Sequence, residues 1–123
     1  MTMKSILVVD DNPENLKLIL FILSTGGYEL TTANDAHEAL GILAERAPDL
    51  ILLDLQLPGM DGLELTRKLR ARVDTREIPI VAVTAYAMKG DELKARDAGC
   101  NDYIVKPIDK RALRALVKRY LDS

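Results

Sequence analysis

The sequence predicts one α/β domain built on an open parallel sheet. Short apolar runs alternate along all 123 residues with longer segments in which apolar residues recur at helical spacing. This alternation is typical of strand–helix–strand units, in which parallel strands are covered by helices on both faces. The runs at 6–9, 50–53 and 80–83 are apolar throughout, as expected for strands that are buried on both faces.

Five strands are predicted, at 5–10, 28–33, 50–54, 79–84 and 102–106. The second contains Glu29, Thr31 and Thr32, and this polarity indicates an edge strand. Five strands that alternate with five helices through short, right-handed connections favour the strand order 2-1-3-4-5. We therefore expect a doubly wound, flavodoxin-like (βα)5 sheet.

Capping residues, glycines and prolines mark the ends of the predicted helices. Asn12 followed by Pro13 begins the first helix, and Gly26-Gly27 ends it. The other four are predicted from 35 to 46, from the cap Asp61 onward, from 90 to 98, and from near Asp109 onward.

Apolar positions at helical spacing predict the buried face of each helix. The fourth helix is short and highly charged, with Leu93 as its main large anchor, so we expect it to be the least stable. In the others the predicted inward residues are Leu16, Ile19, Leu20 and Leu23; Ala36, Ala39, Leu40 and Leu43; Leu63, Leu65 and Leu69; and Leu113, Leu116, Val117 and Tyr120.

Four of the predicted strands end at polar residues that suit metal and phosphate chemistry. Asp10-Asp11 follow the first strand, Asp54 ends the third, and Thr84 and Lys106 end the fourth and fifth. The carboxyl ends of parallel strands share one edge of the sheet, where ligands bind. Three carboxylates at one edge repel one another unless a cation lies between them. The pattern predicts a divalent metal site with a lysine beside it.

Each of these residues has a plainer interpretation when it is taken alone. Asp10-Asp11 would help to cap the first helix, Asp54 would be a turn residue, Thr84 a packed strand end and Lys106 a solvated lysine. Their joint occurrence at one sheet edge is hard to obtain by chance, and it favours a functional site.

The donor types favour Mg²⁺, which is hard and prefers oxygen ligands. No cysteine–histidine cluster suggests zinc, and His37, the only histidine, is predicted on the second helix, away from the crevice. Acyl-transfer hydrolysis through a Ser/His/Asp set is therefore not expected. A carboxylate beside Mg²⁺ and a lysine is suited to attack phosphorus. Asp54 is the best candidate, because a central strand holds it at the middle of the edge.

Composition narrows the class of protein. The net charge of -2 gives no support to nucleic-acid binding, which usually shows as a strongly basic balance. No apolar stretch approaches the roughly 20 residues of a membrane span. The single cysteine, Cys100, excludes an internal disulfide and fits a reducing cytosol. We expect a cytoplasmic protein that binds neither nucleic acid nor membrane.

A wider set of motifs accompanies the strand-end residues: Leu57-Pro58-Gly59-Met60-Asp61-Gly62, Thr84-Ala85 and Lys106-Pro107. Together with Asp10-Asp11 and Asp54 they resemble the response-regulator receiver domain, and the resemblance covers essentially the whole chain. The run at 84–92 is also similar to single-domain regulators of the DivK type and to receiver modules inside hybrid kinases.

The resemblance implies that Asp54 accepts a phosphoryl group from a histidine kinase or a histidine phosphotransfer protein. It implies that Lys106 contacts a phosphoryl oxygen and that Thr84 forms a hydrogen bond to it. Tyr103 matches the aromatic switch residue that turns inward on activation. By the same resemblance, the peptide bond before Pro107 is expected to be cis.

The metal ligands are implied in the same way. Asp11 would bind Mg²⁺ directly and Asp10 largely through water, with Asp54 and the backbone carbonyl of Gln56 completing the protein ligands. Gln56 and Tyr86 occupy positions that vary within the family and tune the lifetime of the phosphate.

The leading prediction is a stand-alone phosphorylation switch, a single receiver domain over 1–123 without an output domain, which catalyses only its own phosphorylation and dephosphorylation. It would be a monomer or a weak, phosphorylation-dependent dimer. Its downstream protein partner would bind the surface of the fourth helix, fifth strand and fifth helix, which carries the basic residues Lys110, Arg111, Arg114 and Lys118.

Three alternatives remain open. A Mg²⁺-dependent phosphohydrolase of the haloacid dehalogenase type needs a second acid two residues after the nucleophile, where this chain has Gln56. Flavin binding needs a Ser/Thr/Gly-rich phosphate loop where Asp10-Asp11 stand. The chain could also be a receiver module cut from a longer protein such as a hybrid kinase.

Overall fold

A computed structural model describes residues 3–85 and 90–122. The described strands form one parallel sheet in the order β2-β1-β3-β4-β5, so the predicted topology is confirmed and the polar second strand lies at an edge. Within these residues no helix combines the length and apolar character needed to cross a membrane.

The elements are β1 (Ser5–Val9), α1 (Pro13–Leu23), β2 (Glu29–Ala33), α2 (Ala36–Glu45), β3 (Leu50–Asp54), α3 (Gly62–Arg70), β4 (Ile80–Thr84), α4 (Asp91–Ala98), β5 (Asp102–Val105) and α5 (Lys110–Leu121).

The sheet separates two apolar cores. Successive side chains of a strand point to opposite faces, so Ile6 and Val8 of β1 pack with α1 and α5, whereas Leu7 and Val9 pack with α2, α3 and α4. Every residue of β1, β3 and β4 is buried. Each large apolar side chain buried in this way contributes about 1.5–3 kcal/mol to folding, which fixes the strands and hence the edge where they end.

Four of the five helices in the described part of the chain begin at a side-chain cap. Asn12, Asp35, Asp61 and Asp109 each accept hydrogen bonds from backbone N–H groups of the first turn that they precede. Such a cap contributes about 1 kcal/mol. Helix α4 differs, because it follows Gly90 in the left-handed region (φ 102°) and has no side-chain cap.

The prediction that Leu93 anchors α4 is wrong. Its side chain is 66% exposed, and the helix is buried through Ala95 and Ala98. Residues two positions apart in a helix point about 200° apart, so a helix that turns Ala95 toward the sheet must turn Leu93 toward solvent.

The C-terminal end of helix α1 lies before the position that Gly26-Gly27 predicted. It ends at Leu23, and both the N–H (3.3 Å) and the hydroxyl (2.7 Å) of the C-cap residue Ser24 donate to the Phe21 carbonyl. Ile22 is buried, although it was not predicted to be, whereas Leu20 is only half-buried. The helix is therefore rotated slightly from the predicted face.

Two basic residues of α5 lie beside α1. The Nε of Arg114 donates to the Ile22 carbonyl (3.0 Å), and Arg114 and Lys118 line a cavity together with Leu23. The last turn of α1 has no cation of its own, so Arg114 complements the partial negative charge at that helix end. Both residues are exposed, as predicted for the outer face of the fifth helix, and they lie on the side of α5 that is next to α1.

Candidate functional site

The carboxyl ends of four strands bring the predicted site residues to one edge of the sheet. Asp10 follows β1, Asp54 ends β3, Thr84 ends β4, and all three are buried. Lys106 follows β5, and its backbone N–H donates to the Thr84 carbonyl (2.7 Å), which continues the strand ladder to the site. The peptide bond between Lys106 and Pro107 is cis, the isomer that the resemblance implied.

Asp10 and Asp54 are held in the same way. In each carboxylate the Oδ1 accepts the backbone N–H two residues later, from Asn12 (2.9 Å) and from Gln56 (2.9 Å). This is the local turn that aspartate side chains commonly form. Each Oδ2 forms a salt bridge with the ammonium of Lys106, at 3.3 Å for Asp10 and 3.2 Å for Asp54. One lysine therefore bridges the ends of two strands.

Asp11 completes a group that could hold a metal ion. One carboxylate oxygen each from Asp10, Asp11 and Asp54 lies within 4.8 Å of the other two. Asp11 is exposed and the other two are buried, so the group opens to solvent on one side. Among the described residues, three carboxylates against the one ammonium of Lys106 leave an excess of negative charge, and their hard oxygens match Mg²⁺. The residues present therefore fit the ion.

The electrostatics of Asp54 reflect its burial. Loss of solvation raises the pKa of its carboxyl above the ordinary value, and the neighbouring Asp10 raises it further. The N–H of Gln56 and the ammonium of Lys106 act in the opposite direction but do not cancel the rise. A cation bound between the carboxylates would favour the ionised form of Asp54, which is the form that can act as a nucleophile.

Gly62 positions the chain that follows Asp54. Its N–H donates to the Leu55 carbonyl (3.0 Å), and a Cβ added to Gly62 would lie 2.6 Å from the Leu55 Cα and 2.7 Å from the Asp54 carbonyl oxygen. Only a residue without a side chain lets the start of α3 pack this closely. The sequence motif includes Asp61-Gly62, but it does not reveal the need for glycine at position 62, which depends on the close approach of Leu55 and Asp54 in the folded chain.

A cavity of about 180 Å³ lies beside Thr84. Gln56 and Asp61 form one wall of it, and Asp91 and Lys94, from the first turn of α4, form another. The cavity adjoins the strand end that carries Thr84, so a displacement of this side chain changes the space next to α4.

Tyr103 lies in β5 and is half-buried against the core formed with α2, α3 and α4. Burial raises the pKa of its phenol, and the carboxylates of Asp91 and Glu92 raise it further. The phenol is therefore electrostatically coupled to the first turn of α4. Tyr86, expected to tune the lifetime of a phosphate, lies outside the described residues.

Comparison with known proteins agrees with this architecture. Residues 6–118 match the response regulator receiver domain family. The polar-differentiation response regulator DivK of Brucella anthropi is 45% identical over 118 residues, which are 96% of each chain. DivK of Brucella ovis matches at the same identity and coverage.

Solved structures give the same result. The receiver domain of a sensor histidine kinase from Pseudomonas aeruginosa, with a magnesium ion coordinated in its active site cleft, is 37% identical and superposes with a TM-score of 0.90 over 99% of this chain and 100% of that one. A putative response regulator from Chloroflexus aurantiacus is 31% identical, with a TM-score of 0.94 over 99% and 100% of the two chains. The chain therefore belongs to the response regulator receiver domains, which receive phosphoryl groups from histidine kinases or phosphotransfer proteins.

Proposed function

We propose that this chain is a phosphorylation-dependent switch in which Asp54 is the sole phosphoacceptor. The observation that carries the proposal is the position of Asp54 at the centre of the edge. Strand β3 lies between β1, which presents Asp10 and Asp11, and β4, which presents Thr84. The Lys106 ammonium reaches Asp54 from beyond β4. Asp54 therefore lies between the acidic groups on one side of the edge and the hydroxyl and ammonium groups on the other.

In the proposed reaction a carboxylate oxygen of Asp54 attacks the phosphorus of a phosphohistidine on a histidine kinase or histidine phosphotransfer protein. The O–P bond forms as the P–N bond breaks, and the electron pair of the broken bond stays on the imidazole. The Lys106 ammonium then donates to a phosphoryl oxygen, and the Thr84 hydroxyl donates a hydrogen bond to the phosphoryl group.

Asp10, Asp11 and Asp54, with the backbone carbonyl of Gln56, would hold Mg²⁺. When bound, the ion neutralises charge on the carboxylates and on the incoming phosphoryl group. The turn N–H groups fix the buried carboxylates in advance, and the exposed Asp11 leaves the group open to the donor protein.

The competing function is hydrolysis of small phosphoesters. That chemistry needs a second acid two residues after the nucleophile, and the residue there is Gln56, whose backbone N–H already bonds to Asp54. We therefore expect the chain to catalyse only its own phosphorylation and dephosphorylation, with Gln56 and Tyr86 setting the lifetime of the phosphate.

The output surface of the proposed switch is formed by α4, β5 and α5. Leu93 of α4 is 66% exposed and Val105 of β5 is 37% exposed, so the surface offers apolar contacts to a downstream protein. Strand alternation puts Val105 on the same face as Tyr103. A shift of Thr84 toward the phosphoryl group would vacate space for Tyr103, and packed sites of this kind favour two discrete arrangements. The phosphorylated chain would act as a monomer or a weak dimer.

The test is incubation with acetyl phosphate and Mg²⁺, followed by intact-mass measurement. The wild type should gain a single phosphoryl group, Asp54→Asn should gain none, and Asp97→Asn, which alters an exposed acid of α4, should behave as wild type. Undiminished labelling of Asp54→Asn would exclude the proposal. Fast, saturable turnover of sugar phosphates or nucleotides by the wild type would favour the phosphohydrolase instead.

A further inference from the structure

We propose that the cavity between the C-terminal end of α1 and α5 is a second ligand site, which binds a small phosphate monoester with an aromatic or nucleoside body. The cavity has a volume of about 300 Å³, at the lower end of the range of about 300–1,000 Å³ that is typical of ligand pockets. Because it lies away from the sheet edge that carries Asp54, this site would add a binding function to the proposed switch.

The cavity and the phosphorylation site lie at opposite ends of α1. The helix begins after Asp10 and Asp11 and ends at Leu23, which lines the cavity. Its 11 residues span about 16 Å, since a helix rises about 1.5 Å per residue. A ligand in the cavity would therefore not compete with a phosphoryl donor for Asp54.

Apolar groups form one side of the cavity. Ile22 and Leu23 are buried and belong to the core that α1 and α5 form against the sheet. Tyr28 is half-buried against the same core, and its ring lies so close to Gly26 that a Cβ added there would overlap it. The glycine thus leaves room for the phenol ring at the wall of the cavity. A planar ligand can stack on this ring and contact the aliphatic side chains beside it.

Two cations of α5 line the cavity without an acidic partner. Arg114 and Lys118 are one helical turn apart, and neither forms a salt bridge within the described part of the chain, whereas Arg119 pairs with Asp102. The Nε of Arg114 donates to the Ile22 carbonyl, but its terminal nitrogens form no hydrogen bond among the described residues. A phosphate monoester carries a charge of about −1.5 to −2 at pH 7, which two cations match, and a guanidinium can bond two of its oxygens.

The helix end beside the cavity does not present free carbonyls to an anion. The last turn of a helix carries partial negative charge on its carbonyl oxygens, which would oppose a phosphate. Here the Ile22 carbonyl accepts a hydrogen bond from Arg114 (3.0 Å), and the Leu23 carbonyl accepts one from the N–H of Gly26 (3.1 Å). The guanidinium therefore offsets the charge of the helix end next to the site.

Two hydroxyl groups add neutral hydrogen-bond donors. Thr25 and Tyr28 both line the cavity. Burial raises the pKa of the Tyr28 phenol, and the Asp122 carboxylate raises it further, so the phenol keeps its proton at neutral pH and can donate to an anion. Asp122 is exposed and does not line the cavity, and none of the described lining residues is acidic. The site thus combines positive charge, donors and an apolar side.

The test is a titration of the unphosphorylated full chain without Mg²⁺, followed by amide shifts. Phenyl phosphate and adenosine monophosphate are the two ligands, because both carry a phosphate on a ring-containing body. Each should shift the amides of residues 22–28 and 114–118 saturably, with a dissociation constant below about 1 mM. Inorganic phosphate, which lacks a ring, and benzyl alcohol, which lacks a charge, should bind at least about tenfold more weakly. The tighter of the two ligands identifies the body as aryl or nucleoside.

Two variants test the cations. Arg114→Gln and Lys118→Gln should each weaken binding of the tighter ligand by about tenfold, because each removes a hydrogen bond to a charged group. Arg111→Gln is the matched control, since it alters an exposed arginine of the same helix that does not line the cavity, and it should bind as the wild type does. Lys118→Gln keeps the test valid if loss of the bond from Arg114 to Ile22 disturbs the fold.

Shifts that do not saturate, shifts centred on Asp10 and Asp54, or equal affinities for inorganic phosphate and the two ligands would each overturn the site. Wild-type affinity in both Arg114→Gln and Lys118→Gln would do the same. Labelling of Asp54 by acetyl phosphate separates the two proposals. Labelling without ligand binding would remove the second site alone, and ligand binding without labelling would remove the proposed function alone.

Discussion

The ammonium of Lys106 lies 3.2 Å from the Oδ2 of Asp54, where the two side chains are 16% and 4% exposed. The same ammonium reaches Asp10 at 3.3 Å. Buried charges are tolerated only when they are paired and hydrogen-bonded. Lys106 is thus the protein group that compensates two buried carboxylates, and this role leads to the first prediction.

Replacement of Lys106 by methionine should lower the free energy of unfolding by about 3–5 kcal/mol without Mg²⁺, because two buried carboxylates lose their cation. The loss should shrink when Mg²⁺ is present, since a bound cation replaces the missing charge. Urea denaturation with and without Mg²⁺ measures both values. Lys110→Met, which alters an exposed lysine, is the control, and an equal loss in both conditions would contradict the assignment of the site.

Replacement of Asp11 by asparagine should weaken Mg²⁺ binding by on the order of tenfold or more, about 1.4 kcal/mol per factor of ten. The change removes one of the three carboxylates but no buried group, because Asp11 is exposed, so the fold should be unaffected. Titration of Mg²⁺, followed by the amide shifts of Asp10 and Asp54, gives the affinity. Glu14→Gln, at an exposed acid of α1, should bind as the wild type does. Unchanged affinity in Asp11→Asn would exclude it as a ligand.

Gly62→Ala and Gly41→Ala form a matched pair of helical substitutions. At Gly62 the added Cβ meets the backbone of Leu55 at 2.6 Å, whereas at Gly41 nothing lies within 4 Å. The first should destabilise the chain by about 1–3 kcal/mol through overpacking, and the second should stabilise it by about 0.5–1 kcal/mol through helix propensity. Gly62→Ala should also slow labelling by acetyl phosphate, because it displaces the chain next to Asp54. Similar unfolding free energies for the two variants would contradict this account of the turn.

Tyr103→Ala should reduce the number of residues whose amide resonances shift on activation. In the wild type, beryllofluoride, a mimic of the phosphoryl group, should shift amide resonances from Asp54 and Thr84 to residues 88–114, because Tyr103 lies on β5, which pairs with β4, and interacts with acids of the first turn of α4. In Tyr103→Ala the shifts should stay near the carboxylates, whereas Tyr28→Ala, on the opposite face of the sheet, should keep the full spread. An unchanged spread in Tyr103→Ala would count against this route.

The sequence was most informative where the structural cause is local. Apolar runs identify strands that are buried on both faces, and the caps Asn12, Asp61 and Asp109 begin helices at the predicted positions. The predicted strand order implies a shared sheet edge, so the grouping of Asp10 with Asp54 could be predicted from the sequence.

The sequence was least informative where a contact depends on distant segments. Arg70 has the appearance of a solvated helix cation, and its partners come from two loops that meet it only in the folded chain. The burial of α4 was misjudged because its small alanines, and not the larger Leu93, face the sheet. Arg114 likewise has a partner on α1, 92 positions away in the sequence.

The central claim, that Asp54 receives the phosphoryl group, is tested most directly by mapping the modified residue. After phosphorylation with acetyl phosphate and Mg²⁺, borohydride reduces an aspartyl phosphate to homoserine, and peptide mass spectrometry locates it. The account predicts homoserine at position 54 alone, and its absence when Mg²⁺ is omitted. Homoserine at Asp10, Asp11 or any other position, with position 54 still aspartate, would contradict it.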